Sequence, residues 1–261
     1  MRSRTRARRP AALLAAAVLP LLFALSSLSL AACNQTRAIR EQALKDSHVV
    51  VFNAIDGVRL SGRRFGPDQA RTGVVLAHML PADQTSWFEM GDLLGGMGYA
   101  VLTFDFRGYC PGGVAGCSDG SKDPAAASRD VAGAVAFLRS QGVRTIALFG
   151  ASLGGTASLV VSSQPGESIA AVATLSAPRS IGGLVASPDV LAGISAAKLF
   201  IAGDADAIAA ADAQAMFDEG PQPKDLQILT SGDHGTDLLE GNQSENVRTL
   251  LITFLEVHAP A

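Results

Sequence analysis

The chain has 261 residues, 48% of them hydrophobic and 17% charged, with a formal charge of −3. That length suits one α/β domain with a filled core. The acidic balance argues against nucleic acid as a partner and against attachment to a membrane through a polybasic surface.

The first ten residues, MRSRTRARRP, carry Arg2, Arg4, Arg6, Arg8 and Arg9 and no acid. An uncharged apolar run follows and ends in Leu30, Ala31, Ala32 and Cys33. A basic start, an apolar middle and a small-residue end predict an export signal. The end resembles a bacterial lipobox, where cleavage precedes a cysteine whose thiol takes up lipid. The expectation is a lipoprotein signal peptide at 1–32, lipidation at Cys33, a polar tether over 33–47 and one domain over 48–261. An uncleaved anchor is the alternative, because the run is nearly long enough to span a bilayer. Arg8-Arg9 hints at twin-arginine export, but the residues after it fit that signal poorly and the route stays open. Loss of the five leader arginines takes the charge to about −8. The protein is expected outside the cytoplasm, held to the cell membrane by acyl chains.

Residues 48–66 read as two strands joined at Asp56-Gly57, a hairpin signal. GVVLAH (73–78) is a short continuous apolar run, the mark of a strand covered on both faces. A helix is expected from about Ser86 to Met97, then a buried strand over AVLTFD (100–105). Cys110 and Cys117 sit close together in a Gly/Pro-rich loop and, outside the cytoplasm, predict a disulfide. Asp123-Pro124 starts a helix, with Asp as cap and Pro at the first position, and Gly142 ends it. TIALFG (145–150) is a strand and LGGTASLVVSS a helix. Strands follow at 169–176, 198–203 and 226–230 with helices between, and a helix over about 244–257 comes last. Strands alternating with helices after an antiparallel hairpin give an α/β fold: a mostly parallel sheet of about eight strands with helices on both faces. Ligands bind such sheets beyond the carboxyl ends of the strands.

Gly150-Ala151-Ser152-Leu153-Gly154 stands at one such end. The pattern G-x-S-x-G between a strand and a helix is the setting of a nucleophile elbow, where a sharp turn exposes the serine at a helix N-terminus. Serine alone is a weak nucleophile and needs a base, held in turn by a third group. Of four histidines, His78 and His234 fall at strand ends; His48 starts the hairpin and His258 lies in the tail beyond the last helix. After the strand KLFIAG come Asp204 and Asp206, the second placed to reach back once Gly203 has turned the chain. Asp233, Asp189, Asp212, Asp218 and Asp225 read as surface charges.

LAHMLPADQTSW, VLTFDFRGY, GASLGG, AGDAD and GDHG occur in this order, and with them residues 48–258 resemble the α/β-hydrolase superfamily in its small, capless, dienelactone-hydrolase-like or esterase form. The family order of nucleophile, acid and base carries over to Ser152, Asp206 and His234, with Asp204 the runner-up acid. The resemblance also implies an oxyanion hole from the backbone N–H groups of Leu153 and Leu80, Met79 being the alternative to Leu80, because the family often has glycine after the position of His78. His78, Asp105 and Arg107 are then scaffold. Trp87 either lines the acyl site or packs in the core, and the Cys110–Cys117 loop reads as a surface staple rather than a pocket rim. Only about twenty residues separate LSAP from KLF, which leaves no lid domain. The implied activity is a serine hydrolase acting on small ester-like substrates, as a monomer, with no cofactor and no metal. A peptidase, a thioesterase, an acyltransferase and a non-catalytic binding protein use the same scaffold and are the alternatives.

Overall fold

The computed structural model describes residues 41–45 and 47–261. The expected signal peptide, Cys33 and tether residues 34–40 and 46 lie outside the described residues. Among the described residues, no helix is long and apolar enough to cross a membrane.

An eight-stranded sheet organises the unit from Ala43 to Ala261. The hairpin comes first: β1 (Ser47–Asn53) pairs antiparallel with β2 (Arg59–Phe65). Its turn contains Gly57 at φ 89°, a left-handed conformation that glycine adopts without steric cost. Then come β3 (Thr72–Ala77), α1 (Phe88–Gly96), β4 (Ala100–Phe104), α2 (Ala127–Ser140), β5 (Thr145–Ala151) and α3 (Leu153–Ser162). After β6 (Ile169–Leu175), a ribbon of two short strands, β7 (Ser180–Ile181) and β8 (Leu184–Val185), and the five-residue α4 (Pro188–Ala192) are all that precede β9 (Ala197–Gly203). There is no lid domain in that connection. The chain continues through α5 (Ala207–Glu219), β10 (Lys224–Leu229) and α6 (Ser244–His258).

The strand order is β1-β2-β4-β3-β5-β6-β9-β10. Only β2 runs against its neighbours; from β4 onward every pairing is parallel. The apolar runs are continuous because both faces are covered. Val75 and Ala77 of β3 and Ile146 and Leu148 of β5 join one core with Val131 and Leu138 of α2, Leu159 of α3 and Met216 of α5. Val74 and Leu76, with Ala147 and Phe149, join the other core with Phe88 and Leu94 of α1 and Leu251 of α6. Side chains of alternate strand residues therefore feed opposite layers.

Three local readings differ from expectation. A 3₁₀ turn over Gln84–Trp87 precedes α1, started by Asp83, whose side chain accepts from the Thr85 N–H. Trp87 is fully buried in the second core, so its role is packing. His258 is the last residue of α6 and packs its ring at a tilt against Phe254, one turn earlier, rather than lying beyond the helix.

Candidate active site

Ser152 joins β5 to α3 at φ 48° and ψ −115°. Among the described residues only Ser152 and Ser176 carry a side chain at positive φ, and they end the adjacent strands β5 and β6. The turn is held by contacts that leave no room for side chains. A Cβ on Gly150 would stand 2.3 Å from the Gly154 carbonyl oxygen, and one on Gly154 would stand 2.3 Å from that of Ala77. The Ser152 N–H donates to Leu175 O at 2.9 Å, which ties the elbow to β6. The first intrahelical bond of α3 runs from Thr156 N to Ser152 O. The N–H groups of Leu153, Gly154 and Gly155 thus start the helix without helical partners, at its positive end.

β9 and β10 deliver the acid and the base. His234 Nδ1 lies 2.6 Å from Asp206 Oδ2. Asp204 is engaged elsewhere: its Oδ1 accepts from the Ser231 N–H at 3.1 Å. Asp233 accepts from Ser231 Oγ at 2.8 Å. Gly203 lets the two loops cross, since a Cβ there would meet Ser231 O at 2.3 Å. Gly235, the residue after His234, stands against the elbow: its missing Cβ would lie 3.4 Å from the Cβ of Ala151 and 2.5 Å from Met79 Sδ. The histidine loop, the elbow and the loop after β3 therefore meet at one sheet edge. Among the described residues, no three His, Cys, Asp or Glu are grouped to hold a metal ion.

His78 is fully buried at the end of β3. Its Nε2 accepts from the Phe106 N–H at 3.1 Å, so Nδ1 carries the proton and donates to Met79 O at 2.8 Å. Burial pulls its pKa down to about 4, and the imidazole is neutral. Holding the Met79 carbonyl on the ring turns the N–H of the same trans peptide, that of Leu80, the opposite way. Met79 does not sit at positive φ, so its backbone does not demand glycine. Its side chain is buried against the gap that Gly235 leaves. That compensation explains how this chain carries methionine beside His78.

A buried network behind this loop was not legible in the sequence. Asp105 accepts from the Gln84 N–H at 3.0 Å and from Gln84 Nε2 at 2.9 Å. Burial outweighs these bonds and raises its pKa to about 7. Gln84 also accepts from Thr103 Oγ1 and donates to Ala115 O of the disulfide loop. Arg107 grips Asp56 through both terminal nitrogens and Asp130 through Nε and Nη2, tying the hairpin turn to β4 and α2. Burial opposes its charge, but the two carboxylates outweigh burial and keep it protonated. Asp105 and Arg107 are scaffold, as the resemblance implies. Ser176, with a buried hydroxyl that has no partner, was also missed; glycine, not serine, is the usual sequence mark of positive φ.

Cys110 and Cys117 form a disulfide. The loop packs over β2, where Val114 O accepts from Arg63 Nε at 2.9 Å and the Ser61 N–H donates to Ser118 Oγ. Its middle is exposed, which fits a surface staple. Tyr109 and Lys122 line a cavity of about 110 Å³ together with Leu80, Phe106, Ala127 and Leu153. Both residues flank the Cys110–Cys117 loop, and none of residues 110–117 lines the cavity.

The family model for the alpha/beta hydrolase fold matches residues 73–217. None of the curated proteins compared with the chain matches it. Solved structures of similar fold include an esterase of Pyrococcus furiosus, at 17% identity and TM-score 0.68, covering 83% of this chain and 95% of that one. A dienelactone hydrolase of Anabaena variabilis ATCC 29413 gives 19% and 0.66, covering 81% and 97%. A thermophilic esterase of Thermogutta terrifontis gives 19% and 0.63, covering 81% and 100%. At these identities the likeness is one of fold.

Proposed function

This chain belongs to the α/β-hydrolase fold family, and we propose that it is a serine hydrolase that cleaves ester-like bonds through an acyl-enzyme on Ser152. The observation that carries the reading is the meeting of a strained Ser152 at a helix start with the Asp206–His234 hydrogen bond on neighbouring loops. The esterases and dienelactone hydrolase among the similar folds support a small, capless member acting on small molecules.

In this mechanism His234 takes the proton from Ser152 Oγ as it attacks the ester carbonyl. Asp206 fixes the proton on Nδ1, leaves Nε2 free as the base, and stabilises the imidazolium that forms. The Leu153 and Leu80 N–H groups hold the oxyanion, each worth about 3–4 kcal/mol. The Ser152 N–H is committed to Leu175 and takes no part. Collapse expels the alcohol with the proton from His234; water then attacks the acyl group and restores Ser152. The short connection between β6 and β9 leaves the site open, which suits small esters.

A fluorophosphonate probe tests the reading. Labelling of the native chain and none of Ser152→Ala is expected, with loss of p-nitrophenyl ester turnover; an unlabelled native chain removes it. Adding an alcohol and measuring product partition separates hydrolase from acyltransferase. We further propose that the protein is an exported lipoprotein monomer anchored through Cys33. Palmitate labelling that survives Cys33→Ala would sink the anchor.

A further inference from the structure

We propose that the site selects short acyl groups ending in a carboxylate, such as the monoester of a four-carbon dicarboxylic acid, with Lys122 as the specificity-determining residue. The inference rests on the serine hydrolase reading above.

The cavity walls join it to the reacting centre. Leu153 follows Ser152, and Leu80 follows the carbonyl that His78 holds. An acyl group whose carbonyl oxygen lies on those two N–H groups has this space for its chain. At about 30 Å³ per heavy atom, close to water's share of its liquid, a cavity of about 110 Å³ takes a chain of three or four atoms. Phe106, Tyr109 and Ala127 supply apolar wall for methylenes.

The far end is charged. Lys122 and Asp123 are exposed and mark the opening. Lys122 Nζ lies 4.0 Å from the centre of the Tyr109 ring, so the cation is held at the cavity wall. Among the described residues it makes no ion pair. Arg107 is gripped by Asp130 and Asp56, and Asp123 caps its own helix start through Oδ1, which keeps its negative charge at the mouth beside Lys122 and leaves Lys122 as the cation that faces an incoming anion. The backbone fixes Lys122 in place, because Gly108 at φ 73° lies so close that a Cβ would stand 2.2 Å from Lys122 N. A cation beside an apolar cavity with room for a chain of three or four atoms fits an anionic chain end.

The reaction is ordinary ester hydrolysis. The Ser152 Oγ–acyl bond forms as the ester C–O bond breaks, and the alcohol leaves with the proton held by His234. Water then cleaves the acyl bond and releases the dicarboxylate.

Two methyl esters of matched shape test the idea, read by methanol release. Monomethyl succinate carries the carboxylate; methyl 4-methylpentanoate replaces it with an isopropyl group. The native protein is expected to favour the succinate ester roughly two- to fivefold in kcat/KM, the range of a partly exposed charge pair. Lys122→Met should bring the ratio to about one, Lys122→Glu below one, and Lys122→Arg should keep the preference. A native ratio of one or less, or a ratio unmoved by Lys122→Met, overturns the inference and leaves the hydrolase reading standing. If neither ester turns over and the fluorophosphonate probe finds no Ser152, both readings fall together.

Discussion

Replacing Gly154 by alanine tests the elbow through its packing rather than its chemistry. The added Cβ would stand 2.3 Å from Ala77 O, 2.6 Å from Ala77 C and 2.7 Å from His78 O. All three are backbone atoms of the end of β3, so no side chain can swing aside. Restoring an ordinary contact of about 3.4 Å requires the helix start and the loop after β3 to part by about 1 Å. Overpacking of this kind costs about 1–3 kcal/mol, and at about 2–4 °C per kcal/mol for a domain of this size the Tm should fall by about 3–10 °C. The same movement separates the Leu153 and Leu80 N–H groups, and a misplacement of about 1 Å costs on the order of a hundredfold in rate. Gly96→Ala is the reference. It makes the same chemical change in α1, where no atom lies within 4 Å of the new Cβ, and should raise Tm slightly through the unfolded chain. Thermal melts and kcat/KM on a p-nitrophenyl ester read both effects. A Gly154→Ala protein with native Tm and native kcat/KM would refute the argument that close approach at Gly154 sets the oxyanion geometry.

Asp206→Asn should lower kcat by about 10³–10⁴, whereas Asp204→Asn, which touches only the Ser231 N–H, should cost less than about tenfold; equal losses would return the acid to dispute. The titration of Asp105 has a definite sign. Its folded pKa of about 7 exceeds the unfolded value of 3.8, so its contribution is full below 3.8 and is lost as pH rises through 7. His78 acts oppositely: folded about 4 against 6.5, it destabilises as pH falls from 6.5 to 4. The two offset in the native protein. In Asp105→Asn only the histidine remains, and urea unfolding at pH 5 and pH 7.5 should show stability falling on acidification by up to a few kcal/mol relative to native, at about 1.4 kcal/mol per pKa unit. Parallel pH profiles would remove Asp105 as the cause. Reducing Cys110–Cys117 should lower the urea midpoint by the equivalent of about 2–3 kcal/mol; an unchanged midpoint would show that packing on β2 holds the loop without the bond.

The sheet was legible in the sequence because both of its faces are covered. GVVLAH and TIALFG are unbroken apolar runs for that reason, and hairpin, helix caps and strand order follow from Asp56-Gly57, Asp123-Pro124 and the alternation. The candidate site was legible where motif and strand end coincide, at Ser152, and where chain order separates His234 from His78. Asp206 over Asp204 was a matter of which side of a turn each carboxylate faces, which spacing alone does not fix. The Gln84–Asp105 network was hidden because its members are twenty-one residues apart and polar residues carry no periodicity. The pairing of Met79 with Gly235 was hidden likewise: a large residue and a missing one compensate across 156 positions, and neither signals the other.

On the proposed mechanism, Ser152 also sets the interests of the fold against those of the chemistry. At φ 48° and ψ −115° an L residue carries roughly 1–3 kcal/mol of backbone strain, and glycine would occupy the same turn without it. A library of this protein selected for heat resistance alone should drift toward glycine at 152, and the sturdiest clones should be the inert ones. Selection that also demands turnover should restore the serine and look for its stability elsewhere, at open positions such as Gly96.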